Sequence, residues 1–209
     1  MTSANTPPRI IRMGESFEGE CKLKGYKKTR RFLDEATERT IYTCDIVGHV
    51  TRGRVTFCDE ACAAAFSLKP TRVVKPMTWR AMAEEDEPVG SLDQKVFARG
   101  FWAGHDPSDR ELFRAVDPQK LKHKIAMQAL GGAVSRYLLM NGDTPIGSVQ
   151  EEKREQTEEG GVKGFFKTLM TGSDPLLRLG PAAAEIDTRL FCCLMLLLYE
   201  ITVPLDRST

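Results

Sequence analysis

The chain lacks a long apolar run, a secretion-type start and the compact motifs that mark many catalytic sites. Its longest uninterrupted apolar stretch runs from Leu190 to Leu198, between Arg189 and Tyr199-Glu200. A bilayer span needs roughly 20 such residues, so a buried helix or strand is expected here and a transmembrane span is not. The opening MTSANTPPRIIRMGE has no apolar h-region, which points to a reducing, cytoplasmic compartment. The 6 cysteines among 209 residues are then expected as free thiols, not as a disulfide framework. GxSxG, HExxH, Walker and GxGxxG patterns are missing, as are internal repeats and low-complexity tracts.

What is present is the balance of a folded protein: 30 Lys+Arg against 29 Asp+Glu and 41% hydrophobic residues, in a length that can bury a core unaided. The charges are unevenly spread. Residues 1–80 carry 15 basic and 9 acidic side chains, and residues 81–209 carry 15 and 20. The first part is therefore the candidate for an acidic partner, nucleic acid or an anionic membrane surface.

The texture predicts an α+β fold: an antiparallel, β-rich first third followed by helices, with a helical C-terminal unit. Residues 1–13 read as a flexible arm because Thr6-Pro7-Pro8 suits neither helix nor central strand. Ile41 to Val47 is rich in β-branched and aromatic residues, and Val50 and Val55 flank a hairpin turn near Gly53. Asp59 to Phe66 reads as an alanine-rich helix stopped by Pro70, and Thr78 to Glu87 as a second one. Val96 to Trp102 alternates like a strand. Ser108-Asp109-Arg110-Glu111 reads as a capping box, and Asp117-Pro118 as the start of an amphipathic helix over 118–140 that ends at Asn141-Gly142. Residues 148–161 read as a charged linker, dividing a domain at 14–147 from a helical unit at 162–209. In that unit Val162 to Met170 and Pro181 onward are expected to be helical.

Chemistry concentrates at Phe57-Cys58-Asp59-Glu60-Ala61-Cys62, where two thiols lie four residues apart at a hairpin-to-helix junction. Residues 42–66 resemble treble-clef zinc modules of the TRASH-like kind, in which such thiolates share a tetrahedral Zn²⁺ across a helix N-terminus. The family's upstream knuckle is Cys-x-x-Cys-Gly; this chain has Cys44-Asp45-Ile46-Val47-Gly48, with valine at the second cysteine position. The resemblance implies Cys44, His49, Cys58 and Cys62 as zinc ligands, with Cys21 as an alternative fourth. The competing expectation is that the cysteines are small apolar residues in a packed junction. Cys192 and Cys193, adjacent on a helix, point about 100° apart and are expected in the core.

The basic segment Lys22, Lys24, Tyr26, Lys27, Lys28, Arg30 and Arg31 has the composition to grip phosphates and stack a base of single-stranded nucleic acid. These readings together predict a non-enzymatic binding module, zinc-stabilised or descended from one, that engages nucleic acid or a regulatory or assembly complex. Ile41 to Phe66 also resembles the opening of rhabdovirus-type matrix proteins, which implies a structural protein in peripheral contact with membrane and nucleocapsid. An enzyme with dispersed catalytic residues is the third reading. The apolar stretch within 182–199 is expected to be covered in part by a second copy of the chain.

Overall fold

A computed structural model describes residues 7–16, 27–47, 50–51, 53–72, 77–94, 102–116, 136–152 and 174–202. They form a closed antiparallel barrel with one α-helix among the described residues. The strands are β1 (Arg9–Ser16), β2 (Lys27–Asp34), β3 (Arg39–Val47), β4 (Val55–Cys58), β5 (Ala64–Arg72) and β6 (Met77–Ala83). They continue with β7 (Pro88–Gln94), β8 (Trp102–His105), β9 (Glu111–Val116), β10 (Arg136–Asn141), β11 (Thr144–Glu152) and β12 (Asp174–Leu179). Each pairs with its sequence neighbours, and β12 closes the ring on β1 through Ile11↔Leu177 and Arg9↔Leu179.

The α+β expectation is therefore overturned: the alternation of side chains, not alanine content or cap-like spacing, decides the elements. In β6, Met77, Trp79 and Ala81 face in, while Thr78 and Arg80 face out. The alanine-rich stretch is a tight turn over 59–63 followed by β5. Cys62 there has φ 62°, which a helix does not allow. Pro70 lies inside β5 next to a register shift, the kind of place where a strand tolerates proline. The Thr78 helix is β6, and Ser108 to Arg110 form a turn into β9. Of the helix expected over 118–140, residues 118–135 lie outside the described residues, and the rest falls in strand β10 (Arg136–Asn141). The expected helix over Val162 to Met170 also lies outside them.

The N-terminal arm ends sooner than expected, since β1 begins at Arg9. Residues 148–152, read as linker, belong to β11. The C-terminal stretch supplies the strand that completes the barrel and the helix that fills it. A twelve-stranded barrel is wider than the eight-stranded size that wall side chains can fill alone. Helix α1 (Thr188–Thr202), about 22 Å long by its rise, occupies the axis. Every residue from Leu190 to Leu197 is 0% exposed, because the wall surrounds the helix on all sides. The apolar stretch is thus covered within its own chain and needs no second copy to hide it.

The wall adapts to this filling. A Cβ at Gly90, where φ is +153°, would lie 2.3 Å from the His105 carbonyl oxygen and 3.1 Å from Leu190 Cδ2. One at Gly104 would lie 2.3 Å from the ring of Phe113, which itself stacks on Phe191 of the helix at 4.9 Å. At the other end of α1, Arg30 points into the barrel and donates from Nε and Nη2 to Glu200 Oε1 at 3.0 and 2.6 Å. Its guanidinium carbon lies 4.5 Å from the centre of the Tyr199 ring.

Candidate functional site

With the axis occupied by the helix, the polar side chains open to solvent lie on the outside of the wall and in the turns. The outward positions carry Arg12, Arg31, Asp45, Lys69, Arg80, Asp93, Arg114 and Arg178, together with the apolar Ala103 and Leu176, which are buried on the outer side of β8 and β12. Charges thus run along the outer wall at levels where a lipid-spanning barrel carries an apolar band.

The outer face of β5–β6 holds the most uneven charge. Lys69 lies directly opposite Arg80, and Arg72 opposite Thr78. Like charges facing each other across a strand pair are destabilising. Lys69, Arg72 and Arg80 are all exposed and make no ion pair among the described residues. The neighbouring outward positions are polar: Ser91 opposite Arg80, Asp93 opposite Thr78, and His105 opposite Ser91. Arg114 follows on β9, opposite Ala103 and paired with Glu111. The signal for this face in the sequence is a stretch between Glu60 and Glu84 with no acidic residue, in which Lys69, Arg72, Lys75 and Arg80 occur. Lys75 lies outside the described residues.

His105 sits at the edge of this face with 14% of its side chain exposed. Its Nε2 lies 3.5 Å from Asp93 Oδ2, and its Nδ1 lies 3.8 Å from Asp109 Oδ1. Nε2 and Asp93 Oδ1 are both buried without a hydrogen bond.

One barrel end has the opposite charge. The connections that turn there contain Glu35, Glu38, Asp59, Glu60, the run Glu84 to Glu87, Asp106, Asp109, Asp143, Glu185 and Asp187. Some of these are paired, as in Arg12–Glu35 at 2.5 Å, Arg54–Asp86 at 3.1 Å and Arg110–Asp106 at 3.0 Å. Backbone N–H groups of Arg110 and Ser108, with the Arg110 guanidinium, hold the Asp106 carboxyl below the usual range. Glu38, Glu60, Glu84, Glu85, Glu87, Asp143 and Glu185 are exposed with no ion pair among the described residues.

Of the expected zinc ligands, the three that are described, Cys44, Cys58 and Cys62, are placed apart. Cys44 pairs with Phe57 and points into the barrel at 3% exposure, whereas Cys58 pairs with Thr43 on the outward side. A strand wall separates the two thiols. Cys62 is exposed in the 59–63 turn, and His49 and Cys21 lie outside the described residues. Among the described residues no group of three His, Cys, Asp or Glu side chains is placed to hold a metal ion. Burial pushes the Cys44 thiol up, and that of Cys192 up to about 12, so these buried thiols are held protonated. Cys192 and Cys193 are core residues, as the sequence suggested.

Of the basic segment, Arg30 and Arg31 fall on opposite sides of β2. Lys22, Lys24 and Tyr26 lie outside the described residues; Lys27 and Lys28 open β2, opposite Val47 and Ile46. Arg30 is inside the barrel with Glu200, which removes it from any outer surface, and Arg31 is exposed opposite Thr43. Comparison with protein-family models, curated proteins and solved structures gives no match for this chain. What it belongs to by architecture is the class of closed antiparallel barrels filled by a helix of their own chain.

Proposed function

We propose that this protein is a non-enzymatic binding module that docks the phosphate backbone of nucleic acid on the outer face of β5–β6. The observation that carries the reading is the exposed trio Lys69, Arg72 and Arg80, which make no ion pair among the described residues, with the first and last directly opposed. A polyanion relieves that repulsion and releases its own counterions in doing so. Nucleic acid is favoured over a lipid surface because Lys69, Thr71, Arg72, Thr78 and Arg80 present no large apolar group to insert among acyl chains. Both tryptophans are 0% exposed, so the described face offers charge without a stacking platform. Sequence-independent, salt-sensitive binding follows. The acidic turns at one end repel the same polymer and direct it toward the wall and the opposite end.

The test is titration of a labelled oligonucleotide, single-stranded and duplex, over a range of salt concentrations. Lys69→Ala with Arg80→Ala is expected to weaken binding and to reduce the log–log salt slope by about 1.5, two phosphate contacts' worth. A triple charge reversal of Lys27, Lys28 and Arg31 serves as comparator. Loss of binding in the comparator with none in the Lys69/Arg80 variant would move the site to the N-terminal basic segment. Binding to anionic vesicles with no retention of oligonucleotide would overturn the nucleic-acid reading in favour of a membrane surface.

A further inference from the structure

We propose that His105 makes the β5–β6 face a proton-controlled docking surface, binding nucleic-acid phosphate more tightly when the imidazole is charged. The inference rests on the docking reading above and adds its regulation. Asp93 is the acidic side chain set into that face. It lies opposite Thr78, whose other neighbour is Arg72, and one step diagonal from Arg80, so all three are within a Debye length of one another. An ionised Asp93 therefore subtracts from the potential that Arg72 and Arg80 offer an incoming phosphate.

His105 is placed to cancel that subtraction. Its Nε2 faces Asp93 Oδ2 at 3.5 Å, and Asp109 stands on its other side, with a carboxylate oxygen 3.8 Å from Nδ1. Among the described residues, the other charged groups beside it are engaged elsewhere. Glu111, its partner on β9, is engaged with Arg114; Asp106 is engaged with Arg110; its partner on β7 is the neutral Ser91. In the neutral form the imidazole leaves Asp93 uncancelled, and Nε2 and Asp93 Oδ1 lie buried without hydrogen bonds. Protonation places N–H⁺ donors toward both Asp93 and Asp109. Histidine as a residue type changes charge between about pH 5 and 8, where the phosphodiester backbone of the ligand does not.

The experiment is oligothymidylate binding to the full chain at constant ionic strength, at about pH 5.5 and about pH 8. One charge gained at a separation of about 8 Å, taken at the dielectric of bulk water, corresponds to roughly two- to threefold tighter binding at the lower pH. His105→Gln should bind at the weaker level at both pH values. Asp93→Asn should bind at the tighter level at both. A purely structural role predicts both variants weakened together, so their opposite directions are the discriminating result. A parent whose affinity does not change with pH, or a His105→Gln variant that keeps the parent's response, would overturn the proposal. The docking reading is judged separately, by the Lys69/Arg80 variant at about pH 8; it can stand while this proposal fails.

Discussion

Arg30 shows how much depends on which side of a strand a residue occupies. Composition places it in a basic segment that grips phosphate, yet its neighbours Arg31 and Thr29 face out while it faces in. The guanidinium inside the barrel is tolerable because Glu200, on the last turn of α1, meets it at 2.6 Å, and Tyr199 lies against it. The pair is 3% and 8% exposed at its two side chains, so removing one partner strips the other, still buried, of this charge-assisted contact. Arg30→Met and Glu200→Met are each expected to cost about 3–5 kcal/mol, whereas the two combined should recover most of the loss. Urea denaturation of the four proteins measures this. Losses that simply add in the double variant would mean that the two side chains stabilise the fold independently.

At the scale of elements, the same local chemistry ends strands and starts helices, which is why the sequence misled where it did. Asp34 accepts from the Ala36 N–H at 3.1 Å, Asp59 from Ala63 at 2.9 Å, and Asp106 from Ser108 and Arg110 at 2.9 and 3.0 Å. All three are turns between strands. Asp187 makes an equivalent bond to the Arg189 N–H at 2.9 Å, and there a helix follows. An aspartate bonding to a nearby N–H is common to Asx turns and helix N-caps, so only the partners available in three dimensions separate them. The β texture of Ile41 to Val47, the hairpin near Gly53 and the buried character of Leu190 to Leu198 were legible. The barrel was not, because β1 finds β12 across more than half the chain, a pairing that no local pattern announces. The cationic face was legible only as an acid-free stretch from Ala61 to Ala83, and its juxtaposition of Lys69 with Arg80 needed the register. Since α1 supplies the core that the barrel wall packs on, Leu194→Ala should cost about 2–5 kcal/mol. Truncation after Gly180 should abolish cooperative thermal unfolding; a truncated chain that still melts in one sharp transition would mean that the barrel holds itself without its filling.

For the whole molecule, closure and filling together decide whether copies associate. A sheet with free edges invites another strand, but a ring in which β12 pairs with β1 has none. A helix apolar all round invites another helix, but here each side chain from Leu190 to Leu197 is 0% exposed within one chain. A free sheet edge and the apolar stretch from which the sequence suggests a second copy are thus both satisfied internally. Long-range charge adds no pull between like ends, since two acidic turn ends repel each other. The protein is therefore expected to scatter light as a 23.4 kDa monomer at high concentration, at both low and high salt. A stable dimer that persists in high salt would require an apolar outer surface, against the charged outward positions Arg31, Lys69, Arg80 and Arg178. A dimer lost on adding salt would instead be held by the cationic face against the acidic end of another copy. In that case oligonucleotide should compete with the second copy for Lys69 and Arg80, and its addition should return the mass to that of one chain with one bound oligonucleotide.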